Sequence, residues 1–232
     1  MRYMFLFGHG KSKDGKYNDV GAASPDGVAE RDLVRAGLRD SLIKFSKQSK
    51  HEIAFYDGNA YRDRFLDYMD PTYSVIELHM DGSTKKDFGG GHVIIHADLT
   101  PDDMDKRLAA VIKMFFGWRL NDKLTGINGR RDLQNPNLAK RHGINYRLLE
   151  LGHITNPTNY QTMKTEYDYI AKAILQAVTQ ESFADPADMK EEDTLYKIQA
   201  GAFRNYDNAV AALHKLTQAG FEAFIYPNKE EA

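Results

Sequence analysis

No cysteine occurs in the 232 residues. That absence excludes a disulfide framework, a thiolate metal site and a cysteine nucleophile, so any metal must be held by histidine and carboxylate. Long apolar runs are missing too. Nothing approaches the roughly 20 consecutive apolar residues of a spanning helix, so no membrane insertion is expected. Nor is there an excess of charge. With 31 basic and 33 acidic side chains the formal net charge is -2, which argues against nucleic acid as a partner bound by broad phosphate neutralisation. The amino terminus carries no signal peptide pattern. Residues 1–7 hold one arginine and a short apolar run, but Gly8-His9-Gly10 follows where a leader would stay apolar and end in small residues. A buried first strand is the expectation there.

Hydrophobic residues make up 42% of the chain and charged residues 28%, the balance of a globular protein that buries a core without staples. Short apolar runs bounded by Gly, Asp or Pro predict strands at residues 2–7, 52–56, 74–79, 92–96 and 146–151. Apolar residues at helical spacing predict helices at 29–48, 102–121 and 167–179. In the second of these, Met104, Leu108, Val111, Ile112, Phe115 and Phe116 form one stripe. Thr100, Pro101 and Asp103 supply its expected cap, first-turn proline and early acidic charge. Strands interleaved with helices imply an α/β domain over residues 1–181, built as a mixed twisted sheet flanked by helices.

The composition then changes. Residues 182–193 (SFADPADMKEED) are acidic and proline-marked, as a linker is. From residue 182 onward the net charge is -4, against +2 for the rest of the chain. Residues 194–232 hold a strand pattern at 195–200, an amphipathic helix at 207–219 and a second strand at 222–226. That is one small βαβ unit, too slight for a comfortable independent domain.

Gly10-Lys11-Ser12 copies the end of a phosphate-binding loop, but the pattern needs glycine at position 5, which is phenylalanine. Residues 13–24 are also polar and turn-like where that loop would lead into a helix. Four other residues share a better-defined setting. His9 follows the first strand, Glu30 starts the first long helix, and His79 and Glu150 lie at the ends of later strands. Ligand sites in open α/β sheets gather at such strand ends and helix starts. Two imidazoles and one carboxylate suit an open catalytic zinc site, and a further carboxylate suits a general base. Each residue also has a plainer reading. His9 can be a polar loop residue, Glu30 a favourable first-turn acid, His79 a satisfied strand-end histidine and Glu150 half of an ion pair. Spacing alone leaves both readings open.

A family resemblance bears on the choice. FGHGKSKDGKYNDVGAASPDGVAERD resembles the opening motif of zinc-dependent N-acetylmuramoyl-L-alanine amidases of the amidase-3 type, in which a GHG-like loop precedes a Gly-Ala pair (here Gly21-Ala22) and a helix-start glutamate. IELHMDGS resembles their Ser-Ile-His-Ala-Asn segment, with Asp81 where asparagine is usual. LLELGHITNPTN resembles their Glu-x-Gly-Phe-Ile-Ser-Asn segment, with His153 in place of the phenylalanine and Asn156 matching. The likeness spans about residues 1–180. It implies Zn2+ bound by His9, Glu30 and His79, with Glu150 as catalytic acid and base. The implied reaction cuts the amide between N-acetylmuramic acid and L-alanine, making peptidoglycan the partner.

Several features depart from that pattern or fall outside it. Residues 57–73 form a short Tyr- and Asp-rich stretch that looks abbreviated, so substrate preference does not transfer. His153 is expected behind the ligands or facing substrate. His92 and His96 share a strand face and are expected to pack rather than bind metal. Arg130-Arg131 reads as a solvated loop pair, although guanidinium forks also suit substrate carboxylates. LYKIQAGAFRNYDNAVAALHKLTQAGFEAFIY is similar to the first half of the SPOR domain, which binds peptidoglycan, with Tyr196, Gln199, Gly201, Phe203, Ala209, Leu216 and Gly220 in the expected places.

Together these imply a peptidoglycan hydrolase with a partial wall-binding tail. Absence of a leader points to a phage-type endolysin held in the host cytoplasm and released through a holin pore to the cell wall, with a bacterial autolysin as the other source. A zinc peptidase cutting another stem-peptide amide, or a non-catalytic peptidoglycan binder, are the alternatives.

Overall fold

The computed structural model describes residues 1–85, 87–119, 125–184, 201 and 203–221. In chain order the elements are β1 (Arg2–Phe7), β2 (Gly10–Lys11), β3 (Asn18–Asp19), α1 (Glu30–Leu33) and α2 (Asp40–Ser46), then β4 (Glu52–Tyr56), β5 (Ser74–Asp81) and β6 (His92–His96). They continue with α3 (Asp103–Phe116), β7 (Ile127–Arg130), α4 (Gln134–Arg141), β8 (Tyr146–His153), α5 (Pro157–Thr165), α6 (Tyr167–Thr179) and α7 (Tyr206–Gln218). A six-stranded sheet runs in the order β4-β1-β5-β8-β6-β7. All its pairings are parallel except β6 against β8. The mixed sheet flanked by helices agrees with the α/β expectation.

Period-two alternation divides the side chains between two layers. Along β5, Ile76, Leu78 and Met80 join a large core with Leu33, Leu38, Leu108, Ile112 and Ile174 from the helices. Val75 turns the other way, into a smaller core with Leu6, Leu148, Leu138 and Ala139. Glu77 and His79 follow Val75 at steps of two and so share its face, and Glu150 likewise shares the face of Leu148. Because β1, β4, β5 and β8 run parallel, their carboxyl ends lie along one edge.

Several boundaries differ from the sequence reading. The helix expected at 29–48 begins at Glu30 and is interrupted by a π-helical segment, Val34–Arg39. Helix α3 is capped by Asp102, not Thr100. Asp102 is extended, its carboxylate accepts from the Asp105 N–H at 2.8 Å, and Asp105 accepts from the Asp102 N–H at 2.9 Å, a reciprocal capping box. The helix stops at Gly117, whose φ of 74° leaves the helical region. Strands β5 and β8 run two residues beyond their expected ends, to Asp81 and His153. Strand β7 and helices α4 and α5 were not expected. INGR lacks an apolar alternation, and the prolines of α4 and α5 sit in their first turns, where no helical N–H is lost.

The chain divides into two compact units after Ala184. Phe183 packs against the large core of the first unit, and Ala184 exchanges backbone hydrogen bonds with the Gln48 amide. Of the second unit, α7 is described; its start is capped by the Asn205 side chain, which accepts from the N–H groups of Asp207 and Asn208. The strands expected at 195–200 and 222–226, and the linker from residue 185 on, lie outside the described residues.

Candidate metal centre

His9 leaves β1 in the left-handed region, at φ 61°, a conformation that costs a non-glycine residue roughly 1–2 kcal/mol. Its neighbours hold it there. The Arg35 guanidinium donates to the carbonyls of Phe7 at 2.9 Å, Gly8 at 2.7 Å and His9 at 3.0 Å. From the other side, Asn59 donates its amide to the Gly10 carbonyl at 3.2 Å. Gly8 is required by close approach, since a Cβ there would lie 2.2 Å from the His79 ring. Gly21, at φ 71°, is required too: a Cβ would lie 2.5 Å from both the Glu30 carboxylate and the His9 ring.

Glu30 is buried at the start of α1 and joins the two imidazoles. Its Oε1 lies 2.9 Å from His79 Nδ1, and its Oε2 lies 2.9 Å from His9 Nε2. The backbone N–H groups of Met80 and Ala22 donate to the same two oxygens, at 3.0 and 3.1 Å. Burial works to raise the Glu30 pKa, but His79 and His9 hold it well below the ordinary value. Burial likewise works against charging the imidazoles, yet hydrogen bonds to Glu30 leave both pKa values raised, that of His79 strongly. One donor atom from each of the three residues lies within 4.8 Å of the others. This nitrogen and carboxylate set fits zinc, and the raised imidazole pKa values mark where a cation would replace protons.

Glu150 lies directly across the sheet from His79. The residue is partly covered, yet its Oε2 is buried with no hydrogen-bond partner among the described residues. Burial raises its pKa to about 8, with His79 opposing and the charges of Glu30 and Asp81 reinforcing. A partnerless carboxylate oxygen is free to take up a proton.

The other histidines stand apart from the cluster. His153 is buried, with Nδ1 2.8 Å from the Gly90 carbonyl and Nε2 3.5 Å from Asp81. His92 opposes Glu150 in register, and His96 lies at the far end of β6; both are buried. Arg130 ends β7 in register with His96, its guanidinium within the field of Asp81 and Glu150, and Arg131 follows it. They pair with Asp132 and Asp98 respectively, so the carboxylates they meet are the chain's own. Sequence reasoning missed Asp19, Arg35 and Glu77. Glu77 carried the only visible signal, an acid two residues before His79 inside an apolar strand.

The chain is similar to known proteins. The family model described as N-acetylmuramoyl-L-alanine amidase matches residues 4–180. The SPOR domain model matches residues 170–229, overlapping α6 of the first unit. A probable autolysin of Staphylococcus aureus is 32% identical over 198 residues, which is 76% of this chain and 38% of the autolysin's length. The catalytic domain of an endolysin targeting Clostridia Difficile shares the fold at TM-score 0.59 and 19% identity, covering 78% of this chain and 98% of that one. An N-acetylmuramyl-L-alanine amidase of Mycobacterium smegmatis does so at TM-score 0.61 and 17% identity, covering 77% and 95%.

Proposed function

We propose a function from the premise that this chain belongs to the N-acetylmuramoyl-L-alanine amidase family. The reaction is hydrolysis of the amide that joins the lactyl group of N-acetylmuramic acid to L-alanine of the stem peptide. The observation that carries the proposal is a single carboxylate, Glu30, shared between His9 and His79, with the partnerless oxygen of Glu150 opposite. His9, Glu30 and His79 would hold zinc, which supplies a Lewis acid for the amide carbonyl and acidifies a water towards a pKa of about 7.

The remaining steps belong to the chain's own side chains. Glu150 receives the proton of the attacking water and then delivers it to the departing alanine nitrogen, so that the amine leaves neutral. Its buried, partnerless Oε2 leaves it free to take up that proton and pass it on. Arg35 and Asn59 fix the loop that carries His9, so the ligands need little reorganisation when the metal enters.

We assign catalysis to residues 1–184, longer than the expected 1–181 by the segment that packs on its core, a linker role to 185–193 and wall binding to 194–232. The division after Ala184 and the end of the amidase match at residue 180 support that partition. The site of action is then the cell wall. The source we propose is either a phage endolysin released from the host cytoplasm through a holin or a bacterial autolysin, and the match at 32% identity to a probable autolysin favours the second. Digestion of purified walls followed by mass spectrometry tests the reaction. A new L-alanine amine on intact glycan is expected; a terminus elsewhere in the stem would identify a peptidase, and no new terminus a binding protein.

A further inference from the structure

Each imidazole of the cluster has a second nitrogen, and both second nitrogens meet a carboxylate other than Glu30. His79 Nε2 lies 3.1 Å from Glu77 Oε1, and His9 Nδ1 lies 2.9 Å from Asp19 Oδ2. We infer that Glu77 and Asp19 are positioning residues that fix opposite tautomers, so that His79 offers Nδ1 and His9 offers Nε2 to the metal. This rests on the zinc reading of the same cluster.

Glu77 is built for that task. It is buried on β5, two residues before His79 and on the same sheet face. Its Oε2 accepts from the Tyr146 hydroxyl at 2.5 Å and from the Asn135 amide at 2.8 Å. Three donors from β8, α4 and its own strand therefore hold the carboxylate in one place. A carboxylate so held accepts only where its remaining lone pairs point, and Oε1 points at His79 Nε2. Donation from Nε2 leaves Nδ1 as the basic nitrogen, and Nδ1 is the one facing Glu30.

Glu77 is a poor candidate for a metal ligand itself. The His79 ring lies between it and the cluster, since the two ring nitrogens meet different carboxylates. Asp19 does the same for His9 from β3, but more loosely, because its side chain is 41% exposed. A carboxylate behind a ligating imidazole orients the ring and raises its basicity, and its removal typically costs 10- to 100-fold in metal affinity. The effect should be larger at buried Glu77 than at Asp19.

The test is zinc affinity of the full chain, measured by competition with a chelator of known affinity. E77Q keeps the shape but supplies a neutral acceptor, and rotation of Asn135, whose Oδ1 has no hydrogen-bond partner among the described residues, can accommodate the new amide. E77Q should weaken zinc by about 10- to 100-fold and D19N by less, with unchanged circular dichroism of the metal-free protein. Proton–nitrogen correlation spectra of zinc-loaded, histidine-labelled wild type supply a readout that does not depend on any variant. They should show His79 protonated at Nε2 and His9 at Nδ1. Zinc bound through the same nitrogen of both rings, or an unchanged affinity in a folded E77Q, would overturn the inference. Failure of wild type to bind zinc would instead sink the functional reading beneath it.

Discussion

His79 and Glu150 are direct partners across adjacent parallel strands, His79 on β5 and Glu150 on β8, at the edge where both strands end. The pairing places one proposed ligand and the proposed proton carrier side by side on a rigid sheet. Substituting Glu150 by glutamine keeps the shape and removes the base. Turnover of a soluble muropeptide should fall by roughly 100-fold or more. Zinc content should stay near that of wild type, because no Glu150 oxygen belongs to the three-residue cluster. Near-normal turnover would remove the assigned role, and lost zinc would make Glu150 a ligand.

Removal of the metal should abolish hydrolysis and leave the fold. Chelated protein should regain activity on addition of zinc, whereas H9A and H79A should not be restored at the same zinc concentration. The reason is that each imidazole supplies one of the three clustered donors found among the described residues. Full activity after exhaustive chelation would exclude metal catalysis.

The metal-free cluster also makes a statement about pH. Glu150 has a folded pKa of about 8 against an ordinary 4.5, so between those values the folded chain keeps a proton that the unfolded chain has lost. Stability therefore falls as pH rises through that window. His79 and His9, both raised, add stability that is complete below about pH 6.5 and is likewise lost at higher pH. Glu30, held down, works in the opposite sense: its contribution is present above the ordinary carboxylate range and is lost in acid. Metal-free protein should accordingly be more stable near pH 6 than near pH 9, with Glu150 contributing on the order of 3 kcal/mol to the difference. Urea unfolding of chelated wild type and E150Q at the two pH values measures this. The variant should show the smaller drop; equal drops would mean that Glu150 titrates normally.

Arg35 holds the strained loop at His9 by donating to three consecutive carbonyls. Lysine at this position keeps the charge but cannot span all three. R35K should lower unfolding stability by about 1–3 kcal/mol, because buried carbonyls lose charged donors. Zinc affinity should fall with it, since His9 loses its fixed backbone. Calorimetric unfolding together with zinc titration would detect both changes, and an unaltered zinc affinity would show that the loop is held without Arg35.

The sheet and the long helices were legible because burial imposes a period on the sequence. Residues 2–7 and 92–96 are continuous apolar runs with glycine nearby, and both are strands with the expected bounds. INGR was not legible as β7, because an edge strand buries too little to need an apolar pattern. The ligand candidates were legible as types in positions, and the likeness of their flanking motifs sorted them. Their supports were not. Asp19 and Arg35 act through loop and π-helical geometry with no fixed spacing to their partners, and such contacts exist only once the chain is folded.

The tail gives the last prediction, and the structure moves its boundary. Ending the chain at Glu181 would remove Phe183, which packs against the large core, and the hydrogen bonds between Ala184 and Gln48. Ending it at Ala184 keeps both, so residues 1–184 should be the more stable of the two short forms. All four proposed site residues lie within it, including every member of the His9, Glu30 and His79 cluster. Residues 1–184 should therefore bind zinc and cleave soluble muropeptides as the full chain does. Lysis of intact walls should weaken, because a wall-binding segment raises the local enzyme concentration without touching the chemistry. The SPOR match to residues 170–229 motivates that expectation, although its first part falls within α6, a core helix of the first unit. Wall co-sedimentation and muropeptide turnover, measured side by side for residues 1–184 and 1–232, separate the two roles. Equal wall binding would remove the anchor, and an unfolded 1–184 would make the tail part of the catalytic fold.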